Sequence, residues 1–405
     1  MSDLGDTWEE PTYTTLPAPV EELRERVRAF AQEQIVPRAA ALDQAPADEL
    51  EWDLIKQGHE LGLTRLIIPR QYGGLGYGMF GLAVALEEIA AADAGIALVF
   101  GATLLGQAPV LLSGDPEVQE RWLPMFNTDE PVLACNAVTE ELAGCDLLIP
   151  ENAVHAREVM SAQRKGEGYI LNGRKRFITN AKVARYASVY ANLGDAPGAT
   201  ALTGFLVPLD SPGITRGPVA DKMGYRGCLG SELVFEDVEV PAENVVGGEG
   251  GGVHINVQQM NMARAAVAAI STGIAAGAFA IAKKWAGERI QGGTELWRHQ
   301  FSARKLAEMS AKVDAARLLY RKAAYITDNE LPTPPYEPAV AKLFADRIAI
   351  EVAEEAMSLM GARGYLKEYG VERYVRNALG TRIYEGSPEV LALAVTDALY
   401  AEDDF

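Results

Sequence analysis

The chain has 405 residues, 48% of them hydrophobic and 23% charged, which is the composition of a globular protein and not of a disordered one. Its 37 Lys and Arg against 56 Asp and Glu leave a net charge of −19, which opposes binding to nucleic acid or to an anionic membrane surface. The length suggests two to three domains, enough to bury a large core without covalent staples.

Residues 1–19 carry Pro11, Pro17 and Pro19 and no hydrophobic period, so they read as an extended, acidic arm. The arm lacks the apolar run of a signal or transit peptide, and a cytoplasmic location is the expectation. From Val20 the texture is helical: Val20, Leu23, Val27, Phe30 and Ala31 recur at three- and four-residue spacing until Pro37, which is expected to break the run. Further helices are predicted over about 48–61, 80–92 and 95–113, and a short one from Pro116 to Leu123 with Asp115 as its N-cap.

Near Pro131 the period changes. Short runs rich in Val, Ile, Phe and Tyr follow (VLACNAVT, YILNG, RFIT, YASVYANL, TGFLVPL, ELVFEDVEV), and Asn172-Gly173 predicts a hairpin turn. About 110 residues of this kind suggest an antiparallel barrel or sandwich. After GGEGGGV (247–253), read as a hinge, helices return at about 254–290, 297–328, 337–361, 371–379 and 387–400. The Ala-rich stretch 265–282 carries Gly273 and Gly277 and reads as a buried bundle helix, not a membrane span. The fold class is therefore α+β, divided as an arm (1–19), a helical domain (20–130), a β domain (131–246) and a helical bundle (247–405).

Several motifs carry no chemistry. Gly76, Gly78 and Gly81 match GxGxxG but lack the preceding strand of a βαβ unit. The 247–252 glycines lack the Lys and Ser/Thr of a phosphate loop, and no nucleophile elbow exists. Cys135, Cys145 and Cys228 are odd in number without a CxxC, which predicts free thiols in a reducing compartment. His59, His155, His254 and His299 are too scattered for a metal motif, so no metal is expected. Chemistry must come from a cofactor or from carboxylates. Glu385 lies between Tyr384 and Gly386 at a helix junction, where glycine lets a ligand approach the backbone.

Six collinear segments are similar to those of the acyl-CoA dehydrogenase family, and the resemblance covers roughly 20–400. They are IPRQYGGLG (68–76), VTEELAGCD (138–146), NGRKRFITN (172–180), VFEDVEVPAENVVGGEGGG (234–252), GARGYLKEYGVERYVRNA (361–378) and IYEGSPEV (383–390). The resemblance implies a helical, β, helical architecture and an FAD-dependent α,β-dehydrogenation of an acyl-CoA thioester. Such a reaction needs a base for the α-proton, donors for the enolate oxygen and a hydride acceptor. By the resemblance Glu385 is that base, and its backbone N–H binds the thioester carbonyl together with a flavin ribityl hydroxyl. Some family members carry the base immediately before an Arg on a C-terminal helix; the corresponding pair here is Ala263-Arg264, and alanine cannot act as a base.

The resemblance further places Val138, Thr139, Gly144, Cys145, Phe177, Ile178 and Thr179 against FAD. Arg289 and the run Ser358, Leu359, Met360, Gly361 and Ala362 are placed against the FAD of a neighbouring subunit, Gln291 and Gln300 among the cofactor-binding positions, and Ser387 and Glu389 against the cofactor's phosphate and adenine regions. Cys145, Asn261, Arg264, Tyr384 and Gly386 fall at substrate-contacting positions. Departures from the family pattern are Glu141-Leu142 for Pro-Gly, Cys145 for Ser, Phe177 for Trp, a Gly292-Gly293 loop that gains freedom, Ala362-Arg363, and Asn377 for Asp. The implied partners are an acyl-CoA, an electron-transfer flavoprotein and copies of the chain in a homotetramer (a dimer of dimers) or homodimer. Alternatives are an acyl-CoA oxidase, which in many cases has a further C-terminal domain; a dehydrogenase of carrier-protein thioesters; a flavin monooxygenase, which typically loses the YEG glutamate; and a non-catalytic flavin- or CoA-binding homologue.

Overall fold

A computed structural model describes residues 14–147, 149–157 and 159–401; most of the expected N-terminal arm lies outside the described residues. The chain opens with α1 (Ala18–Phe30), whose Val20, Leu23, Val27 and Phe30 are buried on one face. Pro37 does not end the helical path. A π-helical turn (Ala31–Ile35) and a 3₁₀ turn containing Pro37 carry it on into α2 (Ala39–Gln44). Then come α3 (Trp52–Glu60), α4 (Gly78–Ala92), α5 (Ala94–Leu112) and α6 (Pro116–Trp122). Asp115 caps α6 by accepting from the backbone of Glu117 and Val118, and Asp93 caps α5 by accepting from Ile96.

The second layer is one eight-stranded sheet. Its strands are β1 (Ala134–Ala137), β2 (Ser161–Lys165), β3 (Gly168–Thr179), β4 (Tyr186–Leu193), β5 (Leu202–Pro208), β6 (Ile214–Val219), β7 (Gly230–Pro241) and β8 (Val245–Val246); a one-turn helix α7 (Pro150–Ala153) lies between β1 and β2. The order is β6-β7-β3-β2-β4-β5-β8. Most pairs are antiparallel, but β4 runs parallel to both β1 and β2. The expected hairpin at Asn172-Gly173 is absent, since β3 runs straight through it. The two residues instead form a bulge against β7, where Asn172 exchanges side-chain hydrogen bonds with Asp237. A Cβ on Gly173 would lie 2.9 Å from Met160 Cα. The turn that does reverse the chain is Gly166-Glu167, with Gly166 in the left-handed region.

The bundle consists of α8 (Gly252–Glu288), a small hairpin β9 (Ile290–Gln291) and β10 (Thr294–Glu295), then α9 (Gln300–Asn329), α10 (Tyr336–Met360), α11 (Val371–Thr381) and α12 (Pro388–Ala401). The 247–252 glycines are a packed turn: Gly250 N–H donates to Thr203, and a Cβ on Gly252 would sit 2.7 Å from the Leu202 carbonyl oxygen. The joins between the helical and β layers are residues 127–133 and 247–251. Helices α4, α5, α8, α9 and α10 share one core, because α4 and α8 are in backbone contact. Cβ atoms on Gly273 and Gly277 would come within 2.4 Å and 2.3 Å of the carbonyl oxygens of Glu87 and Ala91. Two helices, Ala94–Leu112 and Gly252–Glu288, are long and apolar enough to cross a membrane, and 78% of each apolar window is buried within the protein.

Candidate active site

Three parts of the molecule meet around Glu385, which lies in the six-residue link between α11 and α12. Its φ is 56°, a left-handed value unusual for a residue with a side chain, and Gly386 follows at 100°. From α10, the buried Lys342 ammonium donates to the carbonyls of Thr381 and Gly386, at 3.0 Å and 3.1 Å, and to Asp346 at 2.7 Å. From α8, Arg264 (6% exposed) lies in electrostatic reach of Glu385 and Cys145. From the loop between β6 and β7, Tyr225 meets Tyr384 hydroxyl to hydroxyl at 3.1 Å, ring edge on ring face. Tyr225 is itself at a φ of 53° and donates its backbone N–H to Asn377.

Oε2 of Glu385 is inaccessible to solvent and has no hydrogen-bond partner among the described residues. Burial pushes its carboxyl up to about 7, against the opposing pull of Lys342 and Arg264. A desolvated, partnerless carboxyl titrating at neutral pH is suited to taking a proton from a weak carbon acid. Asn261, expected at the substrate, is buried and fully engaged: it accepts from Arg264 at 2.9 Å and donates to the Thr333 carbonyl. Its position fits it to orient Arg264, whose Nε has no partner among the described residues. Ser387 donates to the exposed Glu389 carboxylate and holds it below the usual range, so these two bond to each other at the start of α12.

A second group of predicted residues lies at the ends of β1 and β3. Val138 is buried and its carbonyl accepts from Lys175; Thr139 accepts from the backbone of Arg176. A bulge in β3 between Lys175 and Ile178, with Phe177 at a φ of 60°, turns the Phe177 ring outward until it is 65% exposed. Ile178 beside it is buried and Thr179 partly so. The Glu141-Leu142 departure leaves the turn intact, with Glu140 N–H donating to the Ala143 carbonyl. Glu141 also gains a role, because it pairs with Arg176, whose guanidinium stands over the Phe177 ring. Gly144 and the exposed Cys145 follow, with open space where a Gly144 Cβ would lie. An exposed ring, open glycine and an orphaned carboxyl fit a flat, phosphate-bearing cofactor and a thioester.

The remaining predicted residues are not in this cluster. Arg289 caps the C-terminus of α8, about 37 Å along the helix axis from Arg264. Gln291 sits in the β9–β10 hairpin, where His299 bonds its carbonyl, and Gln300 opens α9. The Gly292-Gly293 loop expected to gain freedom is instead the tight two-residue turn of that hairpin, both glycines being left-handed. Ser358, Leu359 and Met360 end α10 at the same pole and Gly361 and Ala362 open the 3₁₀ turn after it, where Arg363 lies over Trp285 of α8. Sequence reasoning missed Lys342, Asp346 and Tyr225. The first two were visible as a Lys and an Asp four apart among the alanines and Ile348 of one helix face; nothing local marks Tyr225.

Three family models match the chain in order: acyl-CoA dehydrogenase N-terminal domain over 19–130, middle domain over 135–238 and C-terminal domain over 250–400. The chain is 37% identical over 374 residues to cyclohex-1-ene-1-carbonyl-CoA dehydrogenase of Geobacter metallireducens, covering 92% of this chain and 96% of that one. It superposes on butyryl-CoA dehydrogenase from Megasphaera elsdenii with a TM-score of 0.88 at 32% identity, covering 95% and 99% of the two chains. A glutaryl-CoA dehydrogenase from Mycobacterium smegmatis in complex with FADH2 superposes with a TM-score of 0.84 at 26% identity, covering 96% of each.

Proposed function

The chain belongs to the acyl-CoA dehydrogenase family, and from that premise we propose that Glu385 is its catalytic base and that its substrate is the CoA thioester of a compact acyl group, short or cyclic. The enzyme is an FAD-dependent oxidoreductase that removes hydrogen across the Cα–Cβ bond of an acyl-CoA thioester, giving the 2-enoyl thioester. When bound, FAD supplies the acceptor for the hydride that leaves Cβ. Phe177, Val138, Thr139, Ile178, Thr179, Gly144 and Cys145 would hold it in this chain.

Glu385 takes the α-proton onto its carboxylate. The single observation that carries this reading is the buried, partnerless Oε2 of a carboxyl held at about 7, which is about half ionised at neutral pH and so poised as a base. The Glu385 backbone N–H donates to the thioester carbonyl, a bond that strengthens as negative charge gathers on that oxygen. Arg264 keeps the base ionisable, and Tyr384 and Gly386 shape the approach. The compact acyl group is supported by the relatives, which are named for cyclohexenecarbonyl, butyryl and glutaryl thioesters.

A homotetramer (a dimer of dimers) or a homodimer completes the site in this reading. Arg289 lies about 37 Å along the α8 axis from Arg264, and Gln291, Gln300 and Ser358–Ala362 lie at the same pole, so in this reading they serve the FAD of a partner subunit. We place the enzyme in the cytoplasm, with an electron-transfer flavoprotein as its electron acceptor. The test is anaerobic titration of the flavin-loaded protein with butyryl, cyclohexanecarbonyl and palmitoyl thioesters of CoA. Fast bleaching by the first two supports the reading; fastest bleaching by palmitoyl-CoA removes the compact acyl group, and no bleaching by any thioester removes the function. Reoxidation by an electron-transfer flavoprotein, against peroxide formation with O₂, separates dehydrogenase from oxidase.

A further inference from the structure

Lys342 is fully buried, and its ammonium has three N–H donors and three acceptors: Asp346 at 2.7 Å, the Thr381 carbonyl at 3.0 Å and the Gly386 carbonyl at 3.1 Å. The two carbonyls are not neighbours in sequence. Thr381 is the last residue of α11, and Gly386 follows Glu385 directly, so one ammonium closes the segment on which Glu385 sits at a left-handed φ. Asp346 also accepts from Ser271 of α8 at 2.7 Å, which ties the ammonium to the bundle core. We propose that Lys342 is a positioning residue for the reaction: it staples both ends of the 381–386 segment and so fixes the Glu385 carboxylate over the substrate. The proposal rests on reading Glu385 as the base.

Charge at Lys342 has a second effect, since it is the larger of the two pulls that oppose the upward push of burial on Glu385. The titratable and charged groups facing Glu385 are Lys342 and Asp346 from α10, Arg264 from α8, Tyr384 beside it, Tyr225 from the β6–β7 loop, and Cys145 next to Arg264. Removing the lysine therefore loosens the base and raises the pH at which it ionises. A residue that merely supported the fold would do neither selectively.

Lys342→Met alone strands the buried Asp346 carboxylate, so the informative variant is Lys342→Met/Asp346→Leu, which removes both charges. Lys342→Gln, which keeps an uncharged donor in place, is read in parallel. Each is loaded with FAD and mixed anaerobically with butyryl-CoA from pH 5.5 to 9. In the two lysine variants the limiting rate of flavin bleaching is expected to fall on the order of 10²-fold. Half-saturation should stay within about threefold, and the acid limb should rise above its wild-type place near 7. Lysine variants that bleach at the wild-type rate with the limb in place overturn the proposal, as does a loss confined to half-saturation. A wild type that butyryl-CoA and the other thioesters all fail to bleach counts instead against the proposed function.

Discussion

Glu385→Gln separates a buried base from a surface carboxylate without any substrate. The Glu385 carboxyl titrates at about 7 in the folded protein against 4.5 for a free glutamate. Below pH 4.5 it is protonated in the folded and the unfolded chain and contributes nothing. Between 4.5 and 7 the unfolded chain releases its proton first, so the folded state binds more protons and stability falls as pH rises. Above 7 the loss levels off at about 3 kcal/mol. Glutamine keeps the shape and never ionises, so the variant escapes this loss. Urea denaturation of the FAD-loaded proteins should give equal midpoints at pH 4.5 and a variant progressively more stable up to pH 8. Equal stability across the whole range, or a variant less stable at pH 8, would refute a desolvated Glu385.

Arg264→Gln removes a cation that pulls Glu385 down, so the acid limb of flavin bleaching should move above its wild-type place near 7; a downward move contradicts the site electrostatics. Phe177→Ala should leave the denaturation midpoint within about 0.5 kcal/mol, because the ring is 65% exposed, yet lower the fraction of protein that keeps FAD through gel filtration. Lys175→Met strands the buried Glu140 carboxylate and should destabilise by about 3–5 kcal/mol in urea, whereas Lys175→Met/Glu140→Leu should recover most of it.

Hydrophobic period located α1, whose Val20, Leu23, Val27 and Phe30 bury one face, and the Asp115 cap followed from a single residue type before Pro116. The Asn172-Gly173 signal failed because tertiary contact overrode turn chemistry: Met160 packs on Gly173, and Asp237 across the sheet binds Asn172. Pro37 failed as a stop because a π-helical turn ahead of it let the path continue. Glu385 was legible through its motif, but its left-handed φ, its missing hydrogen-bond partner and the Lys342 staple are products of three elements distant in sequence. The Glu141–Arg176–Phe177 chain was visible only as two unrelated departures until the fold brought β1 and β3 together.

The central claim is that Glu385 is the base for an acyl thioester. Stopped-flow bleaching of the FAD-loaded protein by butyryl-CoA without oxygen, in wild type and Glu385→Gln, tests it most directly. The account predicts that the variant keeps its flavin and that its bleaching slows by about 10²–10⁴-fold. Bleaching at the wild-type rate in Glu385→Gln would contradict it.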